Sequence, residues 1–397
     1  MSFASPAISS TRNHGLDTLR ALAIVLVFMN HYMLFVSGEP TFGWFGEIGW
    51  SGVDLFFALS GYLIGNQILS AIRAGQGDGG VERFSLLRFY ARRLLRTLPN
   101  FYVVLALYAF WPGFRGSSEL PELWKFLTFT QNIHLNPGTA FSHAWSLCVE
   151  EQFYMLLPAL ALLIAALRVT RRMPLMLAWI AVIGSLAAGM LIRSHLWSAY
   201  VGPIHDNGYR YYTLIYYSSL CRCDELVAGV ALALLKNYHA GLWTRLSSHG
   251  NAMLAAGAAL LGLSWYLLLE QHYGYAMTVY GYPMLALSYS MLLLAALSPG
   301  ALLQKARVPG AASIALWSYA IYLLHKQLCI LLGAQLQSLG MAPASWPAVV
   351  ILSAASVLAG WLLYLLVETP FMKLRERYLP GNLAPRRANG AEAMGLN

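Results

Sequence analysis

Charge is what this chain has least of. Asp, Glu, Lys and Arg together make up 11% of its 397 residues, where soluble globular chains carry about 25%. A water-soluble enzyme is excluded, and so is intrinsic disorder, because disordered chains are polar and highly charged. The formal net charge of +9 is spread thinly and forms no basic patch, so no nucleic-acid partner is expected. Cysteine is sparse as well. Cys148, Cys221, Cys223 and Cys329 lie in or beside apolar runs, and the Cys-x-Cys spacing at 221 and 223 suits neither a zinc finger nor a thioredoxin motif. Neither a metal nor a disulfide framework is expected. No internal period points to a repeat protein. The first apolar run, from Ala21, lacks a small-residue cleavage site and is expected to stay as a helix.

What is abundant is apolar surface. Hydrophobic residues make up 58% of the chain and gather into ten runs, near 17–36, 51–71, 89–111, 145–167, 173–193, 214–235, 251–270, 278–297, 313–333 and 346–368. Each has the roughly 20 residues that cross a bilayer. Polar or Gly/Pro-rich connectors such as 73–80 and 132–143 separate them. The sequence therefore predicts an all-α, polytopic helical membrane protein with about ten transmembrane helices. A membrane domain is expected over 1–372 and a basic, then low-complexity, cytoplasmic tail over 373–397. With the amino terminus inside, nineteen Lys and Arg residues fall in inner segments and five (Arg115, Lys125, Arg193, Arg210 and Arg222) in outer ones. Both termini are expected in the cytoplasm and the chain in the cytoplasmic (inner) membrane, among its lipids.

An ionisable group inside a span costs several kcal/mol unless it is paired or hydrated, so each is a site candidate. The first span holds Asp17, Arg20 and His31. At 100° per residue, Arg20 and His31 lie about 20° apart around the helix and Asp17 and His31 about 40°, so the three share a stripe, with His31 about 21 Å beyond Asp17. The fourth span opens with Trp145 and carries Glu150 and Tyr154 at i and i+4, on one face; Glu151 points elsewhere, as a solvent-side or structural partner. Before the third span, Arg88, Arg92, Arg93 and Arg96 form a cationic cluster. Guanidinium forks at Arg93 and Arg96 suit phosphate, while anionic lipid explains Arg88 and Arg92 equally well. The second span holds Asp54 and the run Ser60-Gly61-Tyr62, where small residues let helices approach or make room for a narrow ligand arm. Trp197, Tyr200, Tyr209, Tyr211, Tyr212, Tyr216 and Tyr217 make an aromatic outer loop that suits sugar rings and an interfacial belt alike.

Several of these segments resemble the acyltransferase-3 family of membrane proteins, which O-acylate sugars. Leu16-Asp17-Thr18-Leu19-Arg20 followed by His31 is similar to that family's opening motif, and Gly52-Val53-Asp54 through Ser60-Gly61-Tyr62 to its second-helix signature. Arg93-Leu94-Leu95-Arg96 followed by Pro99 is similar to its Arg-x-x-Arg motif, and Trp145-Ser146-Leu147 through Glu150 and Tyr154 to its fourth-helix signature. Segments around Arg222, Ser318 to His325, and Glu368 agree more loosely. Lys326-Gln327 depart from the pattern, where the family has aromatic or apolar residues.

The resemblance implies an acyl-CoA donor, acetyl-CoA first, no metal, and a sugar-containing acceptor. It implies donor phosphates on Arg93 and Arg96, a pantetheine arm passing Ser60, Gly61 and Tyr62, and His31 as general base. Asp17 is then assigned to pairing Arg20, Glu150 to orienting or charging His31, and Trp145, Tyr154 and His325 to the substrate. Without a fused hydrolase-like domain in the sequence, the membrane domain is expected either to complete the transfer or to pass the acyl group to a separate extracytoplasmic partner. A covalent acyl-enzyme and a homo-oligomer both stay open. A secondary transporter or lipid-linked sugar flippase would share the composition, but the sequence has neither paired halves nor matching broken helices.

Overall fold

The computed structural model describes residues 13–75, 84–167, 172–204 and 208–379. Arg12, Arg83, Arg168 and Arg171, counted above for orientation, and the tail from 380 onward lie outside the described residues. Within them every regular element is helical. The ten long helices are α1 (His14–Tyr32), α2 (Gly52–Ala74), α3 (Leu86–Phe110), α4 (Trp145–Ala166), α5 (Met173–Leu196), α6 (Asp224–Tyr238), α7 (Gly250–Gln271), α8 (Tyr282–Leu297), α9 (Ala311–Ser338) and α10 (Trp346–Leu363).

Local chemistry sets their starts. The Asn13 side chain accepts a hydrogen bond from the Leu16 amide at 3.1 Å and caps α1, and Ser85 accepts one from the Arg88 amide at 3.3 Å and caps α3. Pro174, Pro283 and Pro347 stand in the first turns of α5, α8 and α10, where no amide hydrogen is needed.

Eight helical stretches among the described residues are long and apolar enough to cross a membrane. Two of the ten expected spans miss that mark for different reasons. α3 has 25 residues, but its first half carries the arginine cluster. The sixth run, expected as one helix over 214–235, is broken into a wide turn at Tyr211–Tyr216, irregular chain, and α6, which has only 15 residues, or about 22 Å. Charge causes the break. The Arg193 guanidinium donates to Asp224 at 2.5 Å and Arg222 pairs with Asp54, all four side chains being fully buried. The chain bends at 217–223 to present Arg222 and Asp224 to partners on α2 and α5. Arg193 and Arg222, counted above as outer charges, are interior ion pairs.

α1, α2, α6, α8 and α9 form the centre. α2 and α6 cross backbone to backbone: a Cβ on Gly61 would stand 2.0 Å from the Leu226 carbonyl oxygen, and one on Gly229 2.4 Å from that of Ala58. Gly61 is therefore a helix-crossing residue, and its face is closed to a ligand arm. α5 and α10 lie outside and expose Ile180, Ile183, Leu191, Val350 and Leu358, a surface suited to lipid and a liability in water.

Candidate active site

Two long helices and a short turn converge on a cluster of imidazoles. α1 supplies His31 from its last turn, α9 supplies His325 from its middle, and the short turn Ser142–Ala144 before α4 supplies His143. That turn follows Phe141, whose φ of 57° is costly for a bulky L-residue. The ring of Phe141 is held by Tyr108 at a centroid distance of 4.7 Å and Phe126 at 5.8 Å, so packing offsets the strain and fixes where His143 emerges.

The hydrogen bonds determine which nitrogen is basic. His325 Nδ1 lies 3.0 Å from the carbonyl oxygens of Ile321 and Tyr322. Carbonyls only accept, so Nδ1 carries the hydrogen and neutral His325 accepts at Nε2. His31 Nδ1 stands 2.8 Å from that Nε2 and must be its donor. The remaining nitrogen, His31 Nε2, is left with a free lone pair. His143 follows similar logic: Nε2 donates to the Leu323 carbonyl at 3.2 Å, and Nδ1 has no hydrogen-bond partner among the described residues.

His31 and His143 line a cavity of about 410 Å³ together with Trp50, Trp145, Tyr216 and Lys326. His272, in the loop after α7, also faces it, and burial with the Arg222 cation beyond pushes its imidazole down to about 4. A larger cavity, about 600 Å³ between α2, α4, α5 and α6, is lined without a single Asp, Glu, Lys, Arg or His, whereas imidazoles and an ammonium line the smaller one.

A second polar cluster lies about 16 Å away along α1, the rise from His31 back to Arg20. Arg93 of α3 is 3.8 Å from Glu150 and 3.5 Å from Glu151, with its guanidinium 3.9 Å from the centre of the Tyr154 ring. Glu150 accepts from the Ser60 hydroxyl at 3.1 Å and the Tyr154 hydroxyl at 3.0 Å. Arg20 lies within electrostatic reach of Asp17, Glu150 and Arg93. Arg96 is exposed, with Glu368 and Arg375 among its charged neighbours.

Several expected site residues stand beside other partners than the sequence suggests. Glu150 binds Arg93, Ser60 and Tyr154, and the group behind His31 is His325. Tyr154 belongs to the arginine cluster and not beside Trp145 in the cavity. Glu151, expected as a solvent-side or structural partner, is buried against Arg93, the second of these. Tyr62 faces away from Ser60, its hydroxyl accepting from Lys236 at 2.9 Å. Arg93 is held by two carboxylates, which leaves Arg96 as the open fork. His143 was missed by sequence reasoning; its only signal is a histidine two residues before Trp145, and nothing local says that it meets α9. Among the described residues no group of His, Cys, Asp and Glu is arranged to hold a metal ion.

The profile of a family described as an acyltransferase domain matches residues 13–365. The chain is 28% identical over 236 residues to the peptidoglycan O-acetyltransferase OatA of Listeria monocytogenes, covering 56% of this chain and 33% of that protein. It is 31% identical over 166 residues to the O-acetyltransferase OatA of Staphylococcus aureus, covering 36% of this chain and 24% of that one. An uncharacterized protein of Haemophilus influenzae is 28% identical over 242 residues, covering 56% of this chain and 89% of its own length. The match thus spans about a third of the Listeria relative. No solved structure matches.

Proposed function

This chain belongs to the acyltransferase-3 family, and on that premise we propose that it is a membrane O-acetyltransferase that moves acetyl from cytoplasmic acetyl-CoA to a sugar hydroxyl. The relatives' names supply the acetyl group and the glycan acceptor. The hydrogen-bonded pair of His31 and His325 is the observation that carries the reading, because it leaves a lone pair on His31 Nε2 facing the cavity.

In this reading the acceptor hydroxyl gives its proton to His31 Nε2 as its oxygen attacks the thioester carbonyl carbon. His31 can pass its Nδ1 proton to His325 Nε2, so that the new charge rests against the two carbonyls of α9. The tetrahedral intermediate expels the thiolate of coenzyme A, which takes the proton back and leaves as the thiol. The donor's phosphates lie at Arg96, with Arg20 and Arg93 behind it, and the thioester end reaches toward the imidazoles. Both termini are cytoplasmic in the inner membrane, the arginine cluster faces the cytoplasm under the positive-inside rule, and the cavity faces outward.

Release of thiol from acetyl-CoA by the purified chain, dependent on a glycan acceptor, tests it. His31→Ala should lower that rate about 10²- to 10⁴-fold. Full activity in stable His31→Ala protein, or no thiol release by the wild type, would overturn the reading, the latter in favour of a flippase.

A further inference from the structure

Lys326 follows His325 on α9 and faces the same cavity, yet the chemistry above does not use it. Its residue is 7% exposed. The ammonium donates to the Ser142 hydroxyl oxygen at 3.1 Å and sits 4.0 Å from the centre of the Phe35 ring. Among the described residues no carboxylate pairs with it, and the one acid along the cavity wall, Glu47, is exposed. Burying a cation without an anion is expensive, and a serine oxygen with an aromatic face compensates only in part. The Phe35 ring also touches His31, at a centroid distance of 5.7 Å. Phe35 thus touches both the His31 ring and the Lys326 ammonium, and all three side chains line the one cavity.

Ser142 adds a second donor. Its oxygen accepts from Lys326, and its own hydrogen has no acceptor among the described residues. An N–H and an O–H side by side, 3.1 Å apart, match the two oxygens of a carboxylate.

We propose that Lys326 and Ser142 form a subsite for a carboxylate carried by the acceptor sugar, so that the protein selects an acidic sugar over its neutral counterpart. This rests on reading the cavity as the acceptor site. It goes further by giving the acceptor a charge. An oxyanion role for the ammonium predicts something else: loss for acidic and neutral acceptors alike.

The test is a binding measurement that needs no turnover. Methyl glucuronide and methyl glucoside are titrated onto the full chain in nanodiscs by saturation-transfer NMR. Wild type should bind the glucuronide at least tenfold more tightly. Lys326→Met, which keeps length and packing, should abolish the difference by weakening the acid alone, and Lys326→Arg should retain most of it. The subsite is overturned by equal binding of the two glycosides to wild type, by no binding of the glucuronide, by a preference that survives Lys326→Met, or by equal losses for both glycosides. Thiol release scores the transfer reading separately, so failure of one is not mistaken for failure of the other.

Discussion

His31 Nδ1 lies 2.8 Å from His325 Nε2, with the two ring planes parallel to within 2°. In many catalytic imidazole systems a carboxylate stands behind the base, holding its tautomer and stabilising its cation. Here a second, neutral imidazole takes that position and is itself fixed by two backbone carbonyls. A buried carboxylate would need a permanent counter-charge; a neutral imidazole needs none.

In the proposed mechanism His325 is a positioning residue. His325→Leu should lower kcat about 10²-fold, the low end of what general-base catalysis contributes, with donor KM little changed. His325→Gln, whose amide oxygen can still accept from His31 Nδ1, should recover part of the loss. Equal activity in the two variants would mean that the hydrogen bond does not matter; thiol-release kinetics on both decides it.

The arginine cluster should act on the donor. Arg96→Lys keeps the charge and loses the planar fork, so KM for acetyl-CoA should rise about tenfold, the equivalent of one charge-assisted hydrogen bond. Because Glu150 holds Arg93 and has no contact with His31, Glu150→Gln should weaken donor affinity as well. A fall in kcat at unchanged donor affinity would place Glu150 with the imidazoles after all.

The buried pair of Arg222 and Asp54 makes a stability prediction. Arg222→Met leaves a buried carboxylate unpaired and should cost about 3–5 kcal/mol, whereas adding Asp54→Leu should restore much of the loss. Thermal unfolding in detergent measures both. If the double variant is no more stable than the single one, the pair is not what the bend at 217–223 is built around.

Gly138 lines the imidazole cavity, so topology and site orientation can be read together. A reporter fused at Gly138 should behave as extracytoplasmic. A cytoplasmic signal there would turn the cavity, and the proposed acceptor side, inward.

The sequence alone determined the solvent and the architecture. Long apolar runs have to be buried in lipid with their backbone hydrogen bonds closed internally, and helices are the way to do that without a barrel. The stripe of Asp17, Arg20 and His31 was legible for the same reason, since a helix has a fixed period. What the sequence could not decide is which side chains meet across helices. Glu150 and His31 look like a carboxylate and its imidazole when they are only types in a row, yet the folded chain gives Glu150 to Arg93 and gives His31 a histidine 294 residues away. The sixth run reads as a span because hydropathy averages over Arg222 and Asp224, whose charges are tolerated once Asp54 and Arg193 stand opposite. His143 carries no local signal beyond its place two residues before Trp145, because it joins the site only through a strained turn packed against a helix that begins far along the chain. Contacts of that kind depend on helix crossings set by Gly61 and Gly229, where two backbones touch, and such closeness is a property of the packed bundle.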